Sequence, residues 1–380
     1  MKKIYFLSFL LLSIITFIFS AKAYEVNDEI YSEISDELNN FENSLPKDVL
    51  DFIPNGALDG NFSTLLNSDF GEKDYLELAV SYLFSGLDTV LKSFASILAI
   101  LILTGLLNKL TSSLSESGLE KSFSICSTLC AAITVFNICN ILVENVYSYL
   151  KILCNVMNAF IPIMLTLMTM SGNISSAVVS NGSMILFINI VEGFLLICMM
   201  PLIKMSLSFA CVRSLNSEFD LSGITKTVKN TFTSVTVFIM SIFMFVLSYK
   251  NTLSQSADSI SIKTARFAIS SAVPLVGSSV NEALRTVTSS LSYIKKSTGI
   301  IAIIAIAVIM LPIIINLFLN KISFSILSSM ARLIGSGNEG AILDEADSTC
   351  SFLLTIICCT CVLFIFALTI FIKTGVNIGA

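Results

Sequence analysis

Apolar runs of about twenty residues, separated by shorter polar stretches, fill most of the chain from residue 86 onward. Seven of them stand out: Val90–Leu107, Phe123–Val143, Ile152–Met170, Met184–Ile203, Phe232–Tyr249, Ile300–Leu319 and Ser351–Ile372. Each is long enough to cross the ~30 Å hydrocarbon core of a bilayer as a helix. The pattern predicts an all-α polytopic membrane protein with a transmembrane domain over 86–380 and about seven spans.

The stretch Ser256–Ser290 fits neither a loop nor an ordinary span. Ala265, Phe267, Ile269, Val273 and Val276 alternate with Arg266, Ser270, Ser278, Glu282 and Arg285, and Pro274 and Gly277 interrupt the middle. A charged residue at mid-bilayer costs roughly 2.5 to 3.5 kcal/mol, and broken backbone at that depth survives only where protein or water shields it. Two readings stay open for Thr264–Arg285: a re-entrant element lining a polar path, or an amphipathic helix on the membrane surface. Pro274 and Gly277 are then the helix breakers, and Arg266, Glu282 and Arg285 are candidate pore or docking residues. Glu282 and Arg285 stand three apart and can pair on one helix face, whereas Lys295 and Lys296 fall in an exposed linker before the sixth span.

The N-terminal region has a different texture. Lys2 and Lys3, the apolar run Ile4–Phe19 and the small-residue site Ser20-Ala21-Lys22-Ala23 have the form of a secretory signal peptide over 1–23. Cleaved or retained as an anchor, it exports the segment after it. Between Tyr24 and Glu77 there are 14 acidic and 2 basic residues, net minus 12, against minus 5 for the whole chain. Within the exported segment 24–85, Ile30, Ile34, Leu38, Phe41 and Leu45 recur at three- and four-residue steps, predicting an acidic amphipathic helix that binds a partner through Ile30, Ile34, Leu38 and Phe41. Seven crossings after an exported N-terminus put the C-terminus in the cytoplasm, with Ser44 and Ser256 on opposite sides. Basic residues support this only weakly, nine in the cytoplasmic segments against seven in the external loops.

Composition narrows the chemistry. The 380 residues are 54% hydrophobic and 13% charged, with no histidine and no tryptophan, which removes imidazole acid–base relays and histidine metal sites. All 10 cysteines lie at or beyond Cys126, mostly in apolar runs, and Cys358, Cys359 and Cys361 read as small packing hydrophobes. Ser292 and Lys295 share an S-x-x-K spacing without the further motifs of serine acyl enzymes, and no phosphate-binding G-x-x-x-x-G-K-[ST] loop occurs. No enzyme, cofactor, metal or nucleic-acid function is expected, and the contacts expected are with membrane lipids and other proteins, a homo-oligomer being compatible.

Inside the spans, Glu192 with Asn189 three residues before it is a functional candidate, since an ionisable residue at membrane depth is functional by default. Asn137, Asn140, Asn155, Asn158 and Asn316 are expected to cross-link helices. Pro162 and Pro201 stand 39 apart and Pro274 and Pro312 stand 38 apart, suggesting a repeat of 152–249 in 264–372. Broken segments at matching places in two halves point to transport sites.

The residues Ser256-Ala257-Asp258-Ser259, Lys263-Thr264-Ala265-Arg266-Phe267, Val273-Pro274-Leu275-Val276-Gly277 and Asn281-Glu282-Ala283 resemble the signature of the stage III sporulation protein AE family. The order of signal, acidic exported segment and about seven spans resembles it over nearly the full length. The resemblance implies residence in the mother-cell-derived outer forespore membrane and membership of the channel complex linking mother cell to forespore, beside an ATPase and ring-forming proteins. With location and partners supplied in this way, the function expected is that of a non-enzymatic core component that forms or gates the membrane passage. Glu192 and the proline-broken segments keep a stand-alone secondary transporter as the alternative.

Overall fold

The computed structural model describes residues 37–46, 72–113, 117–215, 222–272 and 277–374. These contain no strand. A short helix, α1, covers 37–44, followed by α2 (Glu72–Ser113), α3 (Ser117–Met170), α4 (Ile174–Ile190), a π-helical turn (Val191–Leu196), α5 (Ile197–Leu215), α6 (Ser222–Ala272), α7 (Gly277–Ile334) and α8 (Gly337–Lys373). Two of the reversals are tight turns built on glycine. Gly172 (φ 77°) between α3 and α4 and Gly335 (φ 89°) between α7 and α8 take the left-handed conformation. In each the next amide closes the helix on a carbonyl five residues back, Asn173 to Met168 and Ser336 to Ala331, both at 2.9 Å, the Schellman pattern that satisfies the last carbonyls.

The second and third apolar runs, expected to be separate spans, lie on one unbroken 54-residue helix, α3. The intervening residues Glu144–Lys151 carry no glycine or proline and continue the helix, so the chain cannot reverse there. Among the described residues, six helices are long and apolar enough to cross a membrane.

Cross-helix contacts fix the register of the bundle. Phe160 of α3 meets Phe371 of α8 with ring centroids 5.5 Å apart, and Thr128 bonds Glu339, so α3 and α8 run parallel. Lys229 and Asn251 of α6 reach Glu345 and Thr374, which makes α6 parallel to them as well. The α4–α5 rod runs the other way, with Phe187 against Phe364 and Ser206 against Glu345. So does α7, with Lys321 beside Asp347 and Gly299 packed directly against Ile372. The apolar part of α8, Phe352–Phe371, is therefore level with Ile300–Leu319 of α7, Phe232–Tyr249 of α6, the middle of the α4–α5 rod and the second half of α3. At this depth Val235, Phe238, Ile242, Phe245, Ile185 and Leu186 point outward, an apolar belt of the kind lipid requires. The apolar part of α2 is offset from the belt, since Gly86 stands level with Leu319 and Gly105 with Ile334.

One end of the bundle carries the Gly335 turn; the other carries Gly172 and Thr374. At this second end Phe41 packs on Phe160, centroids 5.5 Å apart. Leu38 and Phe41 are fully buried in the core, so at these two positions the face expected to bind a partner is covered by the chain itself. Ile30 and Ile34 lie outside the described residues, as does the signal-peptide region. Asn251 and Gln255 both bond Thr374, which places Ser256 at the same end as Ser44. The sequence-based expectation of opposite sides is thereby corrected: with α3 unbroken, the number of reversals is one fewer.

The stretch for which the sequence leaves a re-entrant and a surface reading both open continues as helix out of the belt. α6 continues 21 residues past Asn251 to Ala272, and α7 begins 22 residues before Gly299, each about 30 Å of helix at 1.5 Å per residue. The break comes between two long helices, because Gly277 opens α7 and 273–276, with Pro274, lie outside the described residues.

Candidate functional site

The polar groups that the fold gathers belong chiefly to the first half of α8. This helix begins Gly-Asn-Glu-Gly and carries Glu339, Asp344, Glu345 and Asp347 before its apolar part starts. Helical spacing turns these carboxylates toward different neighbours, and each is met. Glu339, buried, accepts from Ser127 and Thr128 of α3 at 3.0 Å each. Glu345 accepts from Lys229 of α6 at 2.6 Å and from Ser206 of α5, while the same ammonium reaches Thr349 at 2.9 Å. Asp347 pairs with Lys321 at 3.1 Å, whose Nζ also bonds Ser351 at 2.6 Å. Asp344 takes Ser328 at 2.5 Å and Arg332.

These contacts differ in weight. The Lys229 and Glu345 side chains are only 6% and 16% exposed, so each charge depends on the other for the solvation it has lost. The Arg332–Asp344 pair is largely exposed and contributes little, as surface pairs do. Four helices are thus tied to α8 by ionic or polar contacts at the rim of the apolar belt.

Glu192 lies deeper. It sits in the π-helical turn between α4 and α5, level with the middle of the belt, and among the described residues it makes no hydrogen bond. It is half-buried and within electrostatic reach of Cys154 of α3. Asn189, three residues before it, is exposed. Single π turns inside helices are frequent at functional sites.

Several sequence-based candidates land elsewhere. Of the asparagines expected to cross-link helices, Asn137, Asn155 and Asn158 are exposed, Asn140 bonds Glu144 of its own helix, and Asn316 bonds Asn320 of its own helix. The asparagine that does bridge helices is Asn251, buried between Ser180 and Thr374. Lys295, placed by its sequence context in an exposed linker, is 1% exposed, with its Nζ 5.8 Å from the centre of the Phe371 ring, where the ring face offsets part of the lost hydration. The side chains of Arg266, Glu282 and Arg285 lie outside the described residues. In the signature stretch the residue with a visible task is Asp258, which accepts the Ser175 and Ser176 amides at the start of α4, 2.9 Å each. Hydropathy scores 320–350 as a loop, and this hides the α8 carboxylates from a reading of the sequence alone. A signal is nonetheless present: Lys321 and Asp347 stand 14 and 12 residues either side of Gly335, as partners across a helical hairpin must.

The architecture defines a multi-pass helical membrane protein in which the carboxylates of α8 meet basic or hydroxyl partners on neighbouring helices. The family described as Stage III sporulation protein AE matches residues 63–375, and the chain belongs to that family. Stage III sporulation protein AE of Bacillus subtilis (strain 168) is 22% identical over 345 residues, covering 90% of this chain and 86% of that one. No solved structure matches the chain.

Proposed function

We propose that this chain is a non-enzymatic integral-membrane core component of a sporulation channel between mother cell and forespore, forming or gating the membrane passage. It would act in the outer forespore membrane, with an ATPase and ring-forming proteins as partners. Family membership supports the setting. The observation that carries the membrane role is Glu192, a carboxylate at mid-belt in a π-helical turn with no hydrogen bond among the described residues, where an unneeded charge would be selected against on cost alone. Any nucleotide energy has to come from a partner, because the sequence has no phosphate-binding loop.

The test is reconstitution of the purified chain in vesicles, with and without the ATPase and ring partners. Solute flux only with the partners, reduced by Glu192→Gln, is the expected result. Flux by the chain alone would favour the alternative, a stand-alone secondary transporter.

A further inference from the structure

The tight Gly172 turn makes α3 and the α4–α5 rod the two arms of one hairpin, and α3 packs against both α4 and the π-helical turn. Residues equally far from Gly172 on the two arms therefore stand level. Lys151 lies 21 residues before Gly172 and Glu192 lies 20 after it. The contacts of Phe160 with Phe371 and of Phe187 with Phe364 set both beside the middle of Phe352–Phe371. A cation and a carboxylate thus share the mid-membrane level on adjacent helices, where an ionised group needs a partner or water. Among the described residues neither forms an ion pair.

Their bearing around the two helices brings them to the same edge. Cys154, fully buried on α3, is within electrostatic reach of Glu192. Residues three apart on a helix are surface neighbours, so Lys151 stands next to Cys154, on its exposed side. Glu192, half-buried, marks the border between the buried and outward sides of the rod. The flexible four-carbon stem of lysine can swing across that border. Neither charge has a closer counterpart on its own arm. Glu144, the next carboxylate along α3, is seven residues from Lys151, about 10 Å along the axis, and accepts from Asn140. Lys204, the next cation past Glu192, is twelve residues on, about 18 Å. The parts of α6, α7 and α8 at this depth, Phe232–Tyr249, Ile300–Leu319 and Phe352–Phe371, contain no charged residue.

We infer that Lys151 is the counter-charge of Glu192, and that the two pair across the outer edge between α3 and the rod at mid-membrane, closing that edge with a bond that a polar solute has to displace. One turn away Asn155 and Asn189, 17 residues either side of Gly172 and both exposed, give the opened edge a second polar level. This deepens the channel reading and rests on it for purpose, while the pairing itself is measured without transport.

The experiment uses the full-length chain, purified and reconstituted alone in vesicles. A lipid-soluble carbodiimide activates the Glu192 carboxylate, the Lys151 amine attacks it, and an amide forms as the carbodiimide leaves as its urea with the lost oxygen and two protons. Peptide mapping by mass spectrometry is expected to find the 151–192 link beside the Lys229–Glu345 link, and to lose only the former in Lys151→Gln. Independently, Lys151→Glu, which sets two carboxylates at one level, is expected to lower the unfolding midpoint, and the swapped double variant Lys151→Glu, Glu192→Lys to recover most of the loss. Absence of the 151–192 amide, or a swapped variant no more stable than Lys151→Glu alone, would overturn the proposal. The amide formed, with no flux in the complex reconstituted with its partners, would leave this pair standing and remove the channel reading.

Discussion

Lys229 of α6 and Glu345 of α8 stand 2.6 Å apart, nearly sealed from solvent, and no other contact joins two formal charges at that depth among the described residues. Removing one partner leaves the other charge buried and unpaired, at a typical cost of about 3 to 5 kcal/mol. Glu345→Ala and Lys229→Ala should each lower the unfolding midpoint of the detergent-solubilised protein sharply. The double substitution Lys229→Met, Glu345→Leu should recover most of the loss. If the double variant were as unstable as the singles, the pair would matter for something beyond mutual neutralisation.

Sidedness is set by the unbroken α3. Cysteines at Asn43 and Ser256, both exposed, should react with an impermeant thiol reagent from the same side of the membrane. A cysteine at Leu333, 87% exposed beside the Gly335 turn, should react from the other. Opposite labelling of positions 43 and 256 would mean that the chain reverses within α3.

Asp258 caps a helix that is not its own, accepting two amides at the start of α4. Loss of a capping acceptor costs about 0.5 to 2 kcal/mol, so Asp258→Ala should speed hydrogen exchange at Ser175 and Ser176. Asp258→Asn retains one acceptor oxygen and should give an intermediate rate.

Gly335 holds a left-handed backbone (φ 89°) with open space where a Cβ would stand. Its substitution is therefore a matter of backbone strain alone, roughly 1 to 2 kcal/mol for an ordinary residue. Gly335→Val should destabilise by at least this much, while Gly335→Asn should be better tolerated, because asparagine visits that region readily. Equal effects of the two would point to a role for the turn other than conformation.

Phe41 lies between the N-terminal segment and Phe160. Truncating a buried phenylalanine costs about 3 to 5 kcal/mol, which an eight-residue helix has few other contacts to resist. Phe41→Ala should release this segment and make the chain near residue 44 readily cleaved by added protease, with the membrane bundle left intact.

Helix type and the membrane class are legible in the sequence because twenty-residue apolar runs have few other solutions. The number of crossings is not. Glu144-Asn-Val-Tyr-Ser-Tyr-Leu-Lys151 scores as a polar interruption, yet it contains nothing that stops a helix, and only tertiary register shows that it sits beside the apolar part of α8. The spacing of Leu38 and Phe41 marks an apolar stripe. Which surface covers them is set by Phe160, more than a hundred residues away, and no local pattern encodes that. Glu192 is conspicuous as a charge in an apolar run, whereas Glu345 sits in a stretch polar enough to pass for a loop. Its partner, Lys229, is equally inconspicuous alone.

The continuity of α3 makes it a rod of about 80 Å, at 1.5 Å per residue over its 54 residues, more than twice the thickness of the lipid core. Near one tip Glu339 clasps it through Ser127 and Thr128; near the other, Phe41 and Phe371 grip it through Phe160. With no glycine or proline between the clasps and Pro162 just beyond the far one, a twist applied on one side of the membrane is delivered on the other as a rotation of the same shaft.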